Sequence, residues 1–192
     1  EACAELARRG CDFHCEIVGD GPLREHLSEI VEALNLRDRV VLAGALSQEE
    51  IFNRLRGCDV FALASVVDQA GASDVFPTVI LEAMASARAV VSTTVAGIPE
   101  SVADGETGLL VPPNDSTALA QALEKLIRDP DRRASFGRAG RQRVEQNVRV
   151  ETTVDPLTPL RHTAQPERSP AQRNAAGGPH RDAVKPAREP SP

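Results

Sequence analysis

The sequence contains no tryptophan, no tyrosine and five phenylalanines in 192 residues. Aromatic residues make up 3% of the chain and hydrophobic residues 41%, so a core must be built from aliphatic side chains. The net charge of −6 and the lack of aromatic platforms argue against nucleic acid as a partner, because nucleic-acid binding needs basic surfaces. No apolar run of about 18 residues predicts a transmembrane segment, and no signal peptide opens the chain.

Cysteine is also scarce, with four residues at positions 3, 11, 15 and 58. They form no C-x-x-C pair, and no second cluster completes a zinc site. Cys15 and Cys58 lie in or beside predicted strands, and we expect them to be buried thiols. Because free thiols suit a reducing compartment, the sequence predicts a cytoplasmic protein.

Predicted strands and helices alternate along the first three quarters of the chain. Each predicted strand is a short apolar run next to a turn signal, and a helical pattern follows. The strand that begins at Ala89 is expected to be buried on both faces. Leu23–Leu34 is predicted to be an amphipathic helix, the S-x-x-E pattern from Ser47 predicts a capping box for the next helix, and Ser116 is expected to cap a later one. The five predicted strands are Phe13–Val18, Val40–Ala43, Asp59–Leu63, Ala89–Ser92 and Gly108–Val111. This order predicts an α/β fold with a Rossmann-like, doubly wound parallel sheet, in which ligands bind at the C-terminal ends of the strands.

The chain divides by composition into a domain at 1–147 and a tail at 148–192. The last 42 residues hold 8 of the 14 prolines and little apolar periodicity, which predicts a disordered tail. At the other end, Glu1 lies inside a predicted helix and the single methionine is Met84. We therefore expect the start to be truncated, with further sequence upstream.

The stretch from residue 74 to 100 holds the densest set of candidate functional residues. Asp74 and Glu82 stand eight positions apart, and a helix is predicted to begin between them with Pro77 in its first position. The free N–H groups near Thr78 and Val79 would then suit a phosphate. Carboxylates beside such a helix start suit hydroxyl groups instead, such as those of a sugar or ribose.

Five other segments accompany this stretch in a fixed order. They are Ile17–Leu23 (IVGDGPL), Arg39–Gly44 (RVVLAG), Cys58–Ser65 (CDVFALAS), Gly97–Glu100 (GIPE) and Thr107–Asp115 (TGLLVPPND). Together with Asp74-x7-Glu82-Ala83-Met84-Ala85, their order and spacing resemble the C-terminal, donor-binding domain of family 4 retaining glycosyltransferases of the GT-B fold. The Asp at position 74 resembles exopolysaccharide-type members, and the likeness covers about residues 1–147.

The resemblance implies a role for each matching residue. As catalytic residues, Asp74 would contact the transferred sugar and Glu82 the ribose hydroxyls of a UDP- or GDP-sugar. Donor-binding backbone groups would come from Gly19 and Gly21 beside the nucleotide, Ala43 and Gly44 at the base, and Phe76, Pro77, Thr78 and Val79 at the diphosphate. The family generally uses no metal and no other cofactor.

Simpler roles compete with these assignments. Glu82 could be an ordinary exposed helix residue, Asp74 could cap the following helix, and glycine pairs occur in turns everywhere. Gly97 and Glu100 favour a structural role, since tight turns need glycine.

Departures from the family pattern matter as well. Ala87 and Ala89 replace the usual Gly and Pro, and alanine at position 87 is expected to disturb the clean end of the preceding helix. The donor-binding R-x4-K segment and the acceptor domain would precede Glu1, so we expect no turnover by this chain alone. The alternative is a degenerate, non-catalytic glycosyltransferase-like binding module. A cofactor-binding Rossmann domain is less favoured, because no G-x-G-x-x-G opens a first helix.

Overall fold

In a computed structural model, the structure describes residues 1–67 and 77–148. Helices and strands alternate along this part of the chain, which confirms the predicted α/β class. Their order is α1 (Ala2–Arg8), β1 (Cys15–Val18), α2 (Arg24–Ala33), β2 (Val40–Gly44), α3 (Gln48–Gly57), β3 (Val60–Leu63), α4 (Thr78–Ala85), β4 (Ala89–Thr93), α5 (Ile98–Ser101), β5 (Gly108–Val111), α6 (Ser116–Arg128) and α7 (Pro130–Val148). The predicted tail lies outside the described residues from 149 onward.

The strands form two parallel sheets rather than one continuous sheet. In the first sheet β1 pairs with β2, and Cys15 lies opposite Val40. In the second sheet β4 pairs with β3 on one side and with β5 on the other. All three pairings are parallel, so the C-terminal ends of neighbouring strands lie at the same edge of each sheet.

Strand β4 is the centre of the second sheet, and all five of its residues are buried. Since side chains alternate between the faces of a strand, its two faces enter different clusters. Val90 packs into a cluster with residues of α4 and α5. Ala89 and Val91 pack into a second cluster with residues of β5, α6 and α7. The prediction of a strand buried on both faces is therefore confirmed.

Helix α4 ends in a residue of unusual backbone conformation. Ala87 has φ of 55°, in the left-handed region that favours glycine. The N–H of Ala87 bonds the carbonyl of Met84 at 2.9 Å, and the N–H of Arg88 bonds the carbonyl of Ala83 at 3.0 Å. This is the Schellman pattern of a regular helix end. Alanine at this position thus still stops the helix, although the family usually has glycine there.

Helix α7 packs closely on this helix end because of a glycine. A Cβ atom added at Gly137 would overlap the carbonyl oxygen of Ala87. Three residues further on, a Cβ atom at Gly140 would meet the Met84 side chain at 3.5 Å, which is ordinary contact. Gly137 therefore sets how near α7 can approach the loop between α4 and β4.

Helix caps agree with the sequence in one case and not in another. The predicted capping box of α3 is present: Glu50 N–H donates to Ser47 Oγ at 3.3 Å, and Ser47 N–H donates to Glu50 Oε2 at 2.9 Å. The Ser47 hydroxyl and the Ser47 backbone N–H both donate to the Glu50 carboxylate, and these two bonds hold the pKa of that carboxyl below its usual value. Ser116, however, is not the cap of α6. Asp115 is, accepting from Ala118 N–H at 2.8 Å.

The first sheet is covered more thinly than the second. Its apolar residues Ile17 and Val41 are 40% and 41% exposed. Helix α2 follows the predicted amphipathic pattern but buries none of its residues, and Leu27 is 37% exposed. Helix α1 belongs to the other part of the molecule, where Ala2 and Leu6 pack against Ala120 of α6.

The cysteines differ from the sequence expectation. Cys11 is buried, whereas Cys15 and Cys58 are only partly buried, so the prediction of buried thiols at 15 and 58 was wrong. Cys15 starts β1, and its thiol contacts the thiol of Cys3 on α1. A hydrogen bond from Cys15 lowers the pKa of the Cys3 thiol to about 7. The same contact and burial raise the pKa of the Cys15 thiol.

None of the helices in the described ranges combines the length and apolar character that crossing a bilayer requires.

Replacing Gly137 with alanine should destabilise the fold. Gly→Ala inside a helix normally stabilises by up to about 1 kcal/mol, but overlap with the Ala87 carbonyl should reverse the sign and cost about 1–3 kcal/mol. Gly140→Ala, on the same helix, should be neutral or stabilising. The measurement is the free energy of unfolding in urea. Equal effects of the two substitutions would contradict the close approach at Gly137.

Alkylation of Cys3 should report its lowered pKa. Since the thiolate is the reactive form, labelling by iodoacetamide should rise as pH increases through about 7. Cys15→Ala removes the hydrogen bond and should move this midpoint up towards the ordinary thiol value of 9.0. Cys58, whose pKa burial raises, is the internal reference in the same mass-spectrometric experiment. A Cys3 midpoint equal to that of Cys58 would contradict the expectation.

Candidate functional site

The sequence-predicted donor-binding residues that the structure describes lie at the C-terminal ends of strands, at the start of the helix that follows or within it. The turn at 19–21 follows β1, and Ala43 and Gly44 end β2. In the second sheet, loop 64–67 follows β3 and leads towards α4 after the undescribed residues 68–76. Each parallel sheet thus presents its predicted residues at the edge where α/β folds bind ligands.

Two of the predicted glycines are brought into contact at the first sheet. Gly19 N–H donates to the Gly44 carbonyl at 2.8 Å, which forms an isolated bridge between the turn and the end of β2. Gly19 has φ of 129° and Gly44 has φ of 77°, so both adopt conformations that other residues rarely take. Gly21 N–H donates to the Asp20 carboxylate at 2.9 Å. Gly44 is buried, while Gly19 and Gly21 are exposed.

An arginine that the sequence analysis did not single out also contacts the turn at 19–21 and the end of β2. The Arg24 guanidinium donates from Nη2 to the Leu42 carbonyl at 3.2 Å, and its Nη1 lies 3.9 Å from Asp20 Oδ1. The first of these contacts joins residues 18 positions apart, so no local sequence pattern signals it.

At the second sheet, α4 begins one residue later than predicted. Pro77 is the N-cap, with φ of −70° and ψ of 104°, and Thr78 is the first helical residue. Ile80 N–H bonds the Pro77 carbonyl at 3.1 Å. The N–H groups of Thr78 and Val79 have no partner within their own helix, because every helix start leaves such groups unpaired.

Glu82 lies one helical turn beyond Thr78, on the same side of α4. The other side of the helix is fixed by the buried residues Ile80, Ala83 and Met84. Glu82 is half-buried, and its carboxylate has no hydrogen bond or ion pair with another of the described residues. The arrangement offers a carboxylate next to a helix N-terminus. The carboxylate suits hydroxyl groups of a ligand, and the helix N-terminus suits an anionic group.

The structure does not bring every predicted site residue together. Asp74 and Phe76 lie outside the described residues, so their roles stay predictions. The Gly19–Gly44 bridge lies at the first sheet, and Thr78 and Glu82 of α4 lie at the second. No hydrogen bond within the described ranges joins the two groups. No group of three or more metal-ligating side chains occurs in residues 1–67 and 77–148.

The turn at Gly97 differs from its expected form. Gly97 has φ of −77°, which any residue can adopt, and the residue in a left-handed conformation is its neighbour Ala96, with φ of 48°. The stated reason for a glycine at 97 was therefore wrong. The Glu100 side chain is exposed, and the backbone carbonyl of Glu100 accepts a hydrogen bond from Arg143 Nη2 at 2.8 Å.

Two buried hydroxyls that sequence reasoning missed hold the loop after β3. Ser92 Oγ donates to the Leu63 carbonyl at 2.7 Å, and Thr93 Oγ1 donates to the Ser65 carbonyl at 2.6 Å. Both residues end β4, the strand next to β3. They fix the first residues of the segment that leads to α4. The available signal was a pair of hydroxyl residues closing an otherwise apolar strand.

A cavity of about 220 Å³ lies at the same edge of the second sheet. Its described lining includes residues at or after the ends of β3, β4 and β5, among them Ala64, Val66, Thr93, Asn114 and Asp115. Of the predicted donor-binding residues that the structure describes, none lines it. The Asp115 carboxylate is already used to cap α6.

Comparisons with known proteins agree with this arrangement. Residues 1–143 match the family described as "Glycosyl transferases group 1". The chain is 38% identical over 148 residues to the putative colanic acid biosynthesis glycosyltransferase WcaL of Escherichia coli K12, covering 77% of this chain and 36% of WcaL. The chain spans about a third of the length of the curated relatives it matches.

Solved structures give the same result. Anabaena HepE in complex with UDP-glucose superposes with a TM-score of 0.68 at 27% identity, over 79% of this chain and 40% of HepE. The C-terminal domain of the group 1 glycosyl transferase LpcC from Francisella tularensis superposes with a TM-score of 0.67 at 27% identity, over 77% of this chain and 75% of that one. The GT-B likeness expected from the motifs is therefore confirmed.

Replacing Thr93 with valine should loosen the loop after β3. The substitution keeps the shape of the side chain but leaves the Ser65 carbonyl without its hydrogen bond, which should lower the free energy of unfolding by about 1–3 kcal/mol. Amide hydrogen exchange in residues 64–67 should accelerate. Thr94→Val, at the exposed neighbouring position, is the control and should change neither quantity. Unchanged exchange in the Thr93 variant would show that the hydroxyl does not hold the loop.

Proposed function

Because the chain belongs to the group 1 glycosyl transferases, we propose that it is the donor-binding domain of a retaining, family 4 glycosyltransferase. The proposed reaction transfers a hexosyl group from a UDP- or GDP-sugar to a hydroxyl acceptor and keeps the anomeric configuration. The observation that carries the proposal is the juxtaposition of the Glu82 carboxylate with the start of α4, at the ligand-binding edge of a parallel sheet.

Two comparisons support a nucleotide-sugar as the ligand. HepE, which shares this fold, was solved with UDP-glucose. The likeness to the C-terminal domain of LpcC covers three quarters of that domain, which supports assigning this chain to the C-terminal half of a two-domain enzyme. The relatives named for colanic acid support an exopolysaccharide product.

Each group then has a chemical task. The carboxylate of Glu82 accepts hydrogen bonds from the two adjacent ribose hydroxyls, which suits its two oxygens. The N–H groups of Thr78 and Val79 bind the diphosphate, where the helix dipole favours negative charge. Asp74 faces the transferred sugar and stabilises the positive charge that develops on it. Gly19, Gly21, Ala43 and Gly44 let the backbone approach the nucleoside closely.

We expect little or no turnover by the chain alone. A GT-B site forms between two domains, and the chain spans about a third of its curated relatives. The acceptor would bind to the other domain, and the R-x4-K cations expected for the leaving diphosphate do not occur in this sequence. No metal is assigned in this mechanism.

A non-catalytic module is the second candidate, and one argument for it has weakened. Ala87 was expected to disturb the end of α4, since the family usually has glycine at this place. The helix nevertheless ends in regular Schellman geometry at Ala87. What distinguishes the two candidates is therefore nucleotide binding itself.

Glu82→Gln should weaken nucleotide binding by the whole 192-residue chain. Charge-assisted hydrogen bonds contribute about 1.5–3 kcal/mol, so the Kd for UDP or GDP should rise at least about tenfold. The measurement is isothermal titration calorimetry with each nucleotide. The better-binding base identifies the donor class.

Glu32→Gln is the matched control, because Glu32 is an exposed glutamate in the last turn of α2, which leads to the start of β2 rather than to its C-terminal end. It should leave the Kd unchanged. A folded wild-type chain that binds neither nucleotide would argue for the non-catalytic module. Binding that survives unchanged in the Glu82 variant would remove Glu82 from the site.

A further inference from the structure

Arg24 is the first residue of α2, and its side chain turns back over the end of β2. Nη2 donates to the Leu42 carbonyl at 3.2 Å, and Nη1 lies 3.9 Å from the Asp20 carboxylate. Its own backbone N–H donates to the Gly21 carbonyl at 3.1 Å. One residue thus contacts both the turn after β1 and the end of β2.

The guanidinium also takes the place of a side chain at Gly44. A Cβ atom added at Gly44 would lie 3.1 Å from Nη1 of Arg24. The same glycine accepts the 2.8 Å hydrogen bond from Gly19 N–H. Arg24 therefore covers the Gly19–Gly44 bridge, which joins the turn after β1 to the end of β2.

This position is an unfavourable place for a cation unless it has a specific task. The helix dipole opposes positive charge near a helix N-terminus. Arg24 is 45% exposed, and α2 contributes no buried residue to the core. Its contacts are therefore local, and removing them should alter the two turns much more than the global fold.

On the basis of the proposed function, we infer that Arg24 is a positioning residue for the nucleoside end of the donor site. It holds the turn at 19–21 against the end of β2, so that the backbone around Ala43 and Gly44 keeps the shape that receives the base. A planar guanidinium suits this task, because its N–H groups point to acceptors on two sides at once. A lysine ammonium has no such fork.

The test uses the whole chain with Arg24→Ala and Arg24→Lys. Hydrogen exchange without ligand should accelerate at least about tenfold at the amides of Gly19 and Gly21 in both variants, while the Tm falls only slightly. With the base that the wild-type chain binds better, the Kd for the nucleoside monophosphate and for the diphosphate (UMP and UDP, or GMP and GDP) should rise by a similar factor, about tenfold, because both nucleotides share the base end. The control is Arg37→Ala, which removes an exposed arginine paired with Glu32 at the far end of α2.

Three results would overturn the inference. Exchange that stays at the wild-type rate would show that Arg24 does not hold the turn. Faster exchange with unchanged nucleotide affinity would show that the turn does not shape the site. An affinity loss confined to the nucleoside diphosphate and restored by lysine would assign Arg24 to direct phosphate binding instead. A wild-type chain that binds neither UDP nor GDP contradicts the proposed function, and the exchange rates then still decide whether Arg24 holds the turn.

Discussion

The burial of β4 on both faces is the constraint on which the second sheet depends. A parallel strand with helices on either side can form its backbone hydrogen bonds only with the neighbouring strands, and both of its faces must carry apolar side chains. Val90 does so towards α4, and Ala89 and Val91 do so towards α6. Once β4 is fixed, its last two residues hold the loop after β3 through their hydroxyls. The packing that stabilises the domain therefore also shapes its ligand-binding edge.

The positions of the strands were predictable because their cause is local. Short apolar runs next to glycine or proline turns placed all five strands within two residues of their observed bounds. The capping box at Ser47 was equally local. The cap of α6 was assigned one residue late, since Asp115 and Ser116 are both good N-caps and only the backbone conformation decides between them.

Features that depend on distant contacts were missed. Nothing in the sequence indicates that Thr93 reaches the Ser65 carbonyl, or that Arg24 reaches the Leu42 carbonyl. The exposure of Cys15 and Cys58 was misjudged for a related reason, since being part of a strand does not show how well that strand is covered. In the candidate site, family resemblance indicated the glycines and Glu82, whose spacing is fixed. It gave no information on Arg24, whose side chain contacts the residues beside these glycines.

The thin cover of the first sheet has a consequence for binding thermodynamics. Residues with few buried apolar contacts open at a lower free-energy cost than a packed core, and Ile17, Val41 and all of α2 are of this kind. A ligand that needs the Gly19–Gly44 bridge binds only those molecules in which the bridge is formed. Its apparent association constant is therefore the intrinsic association constant multiplied by the fraction of molecules with the bridge formed. Any contact that stabilises the first sheet, even on its opposite face, would therefore act as an allosteric activator of the proposed nucleotide binding without touching the nucleotide.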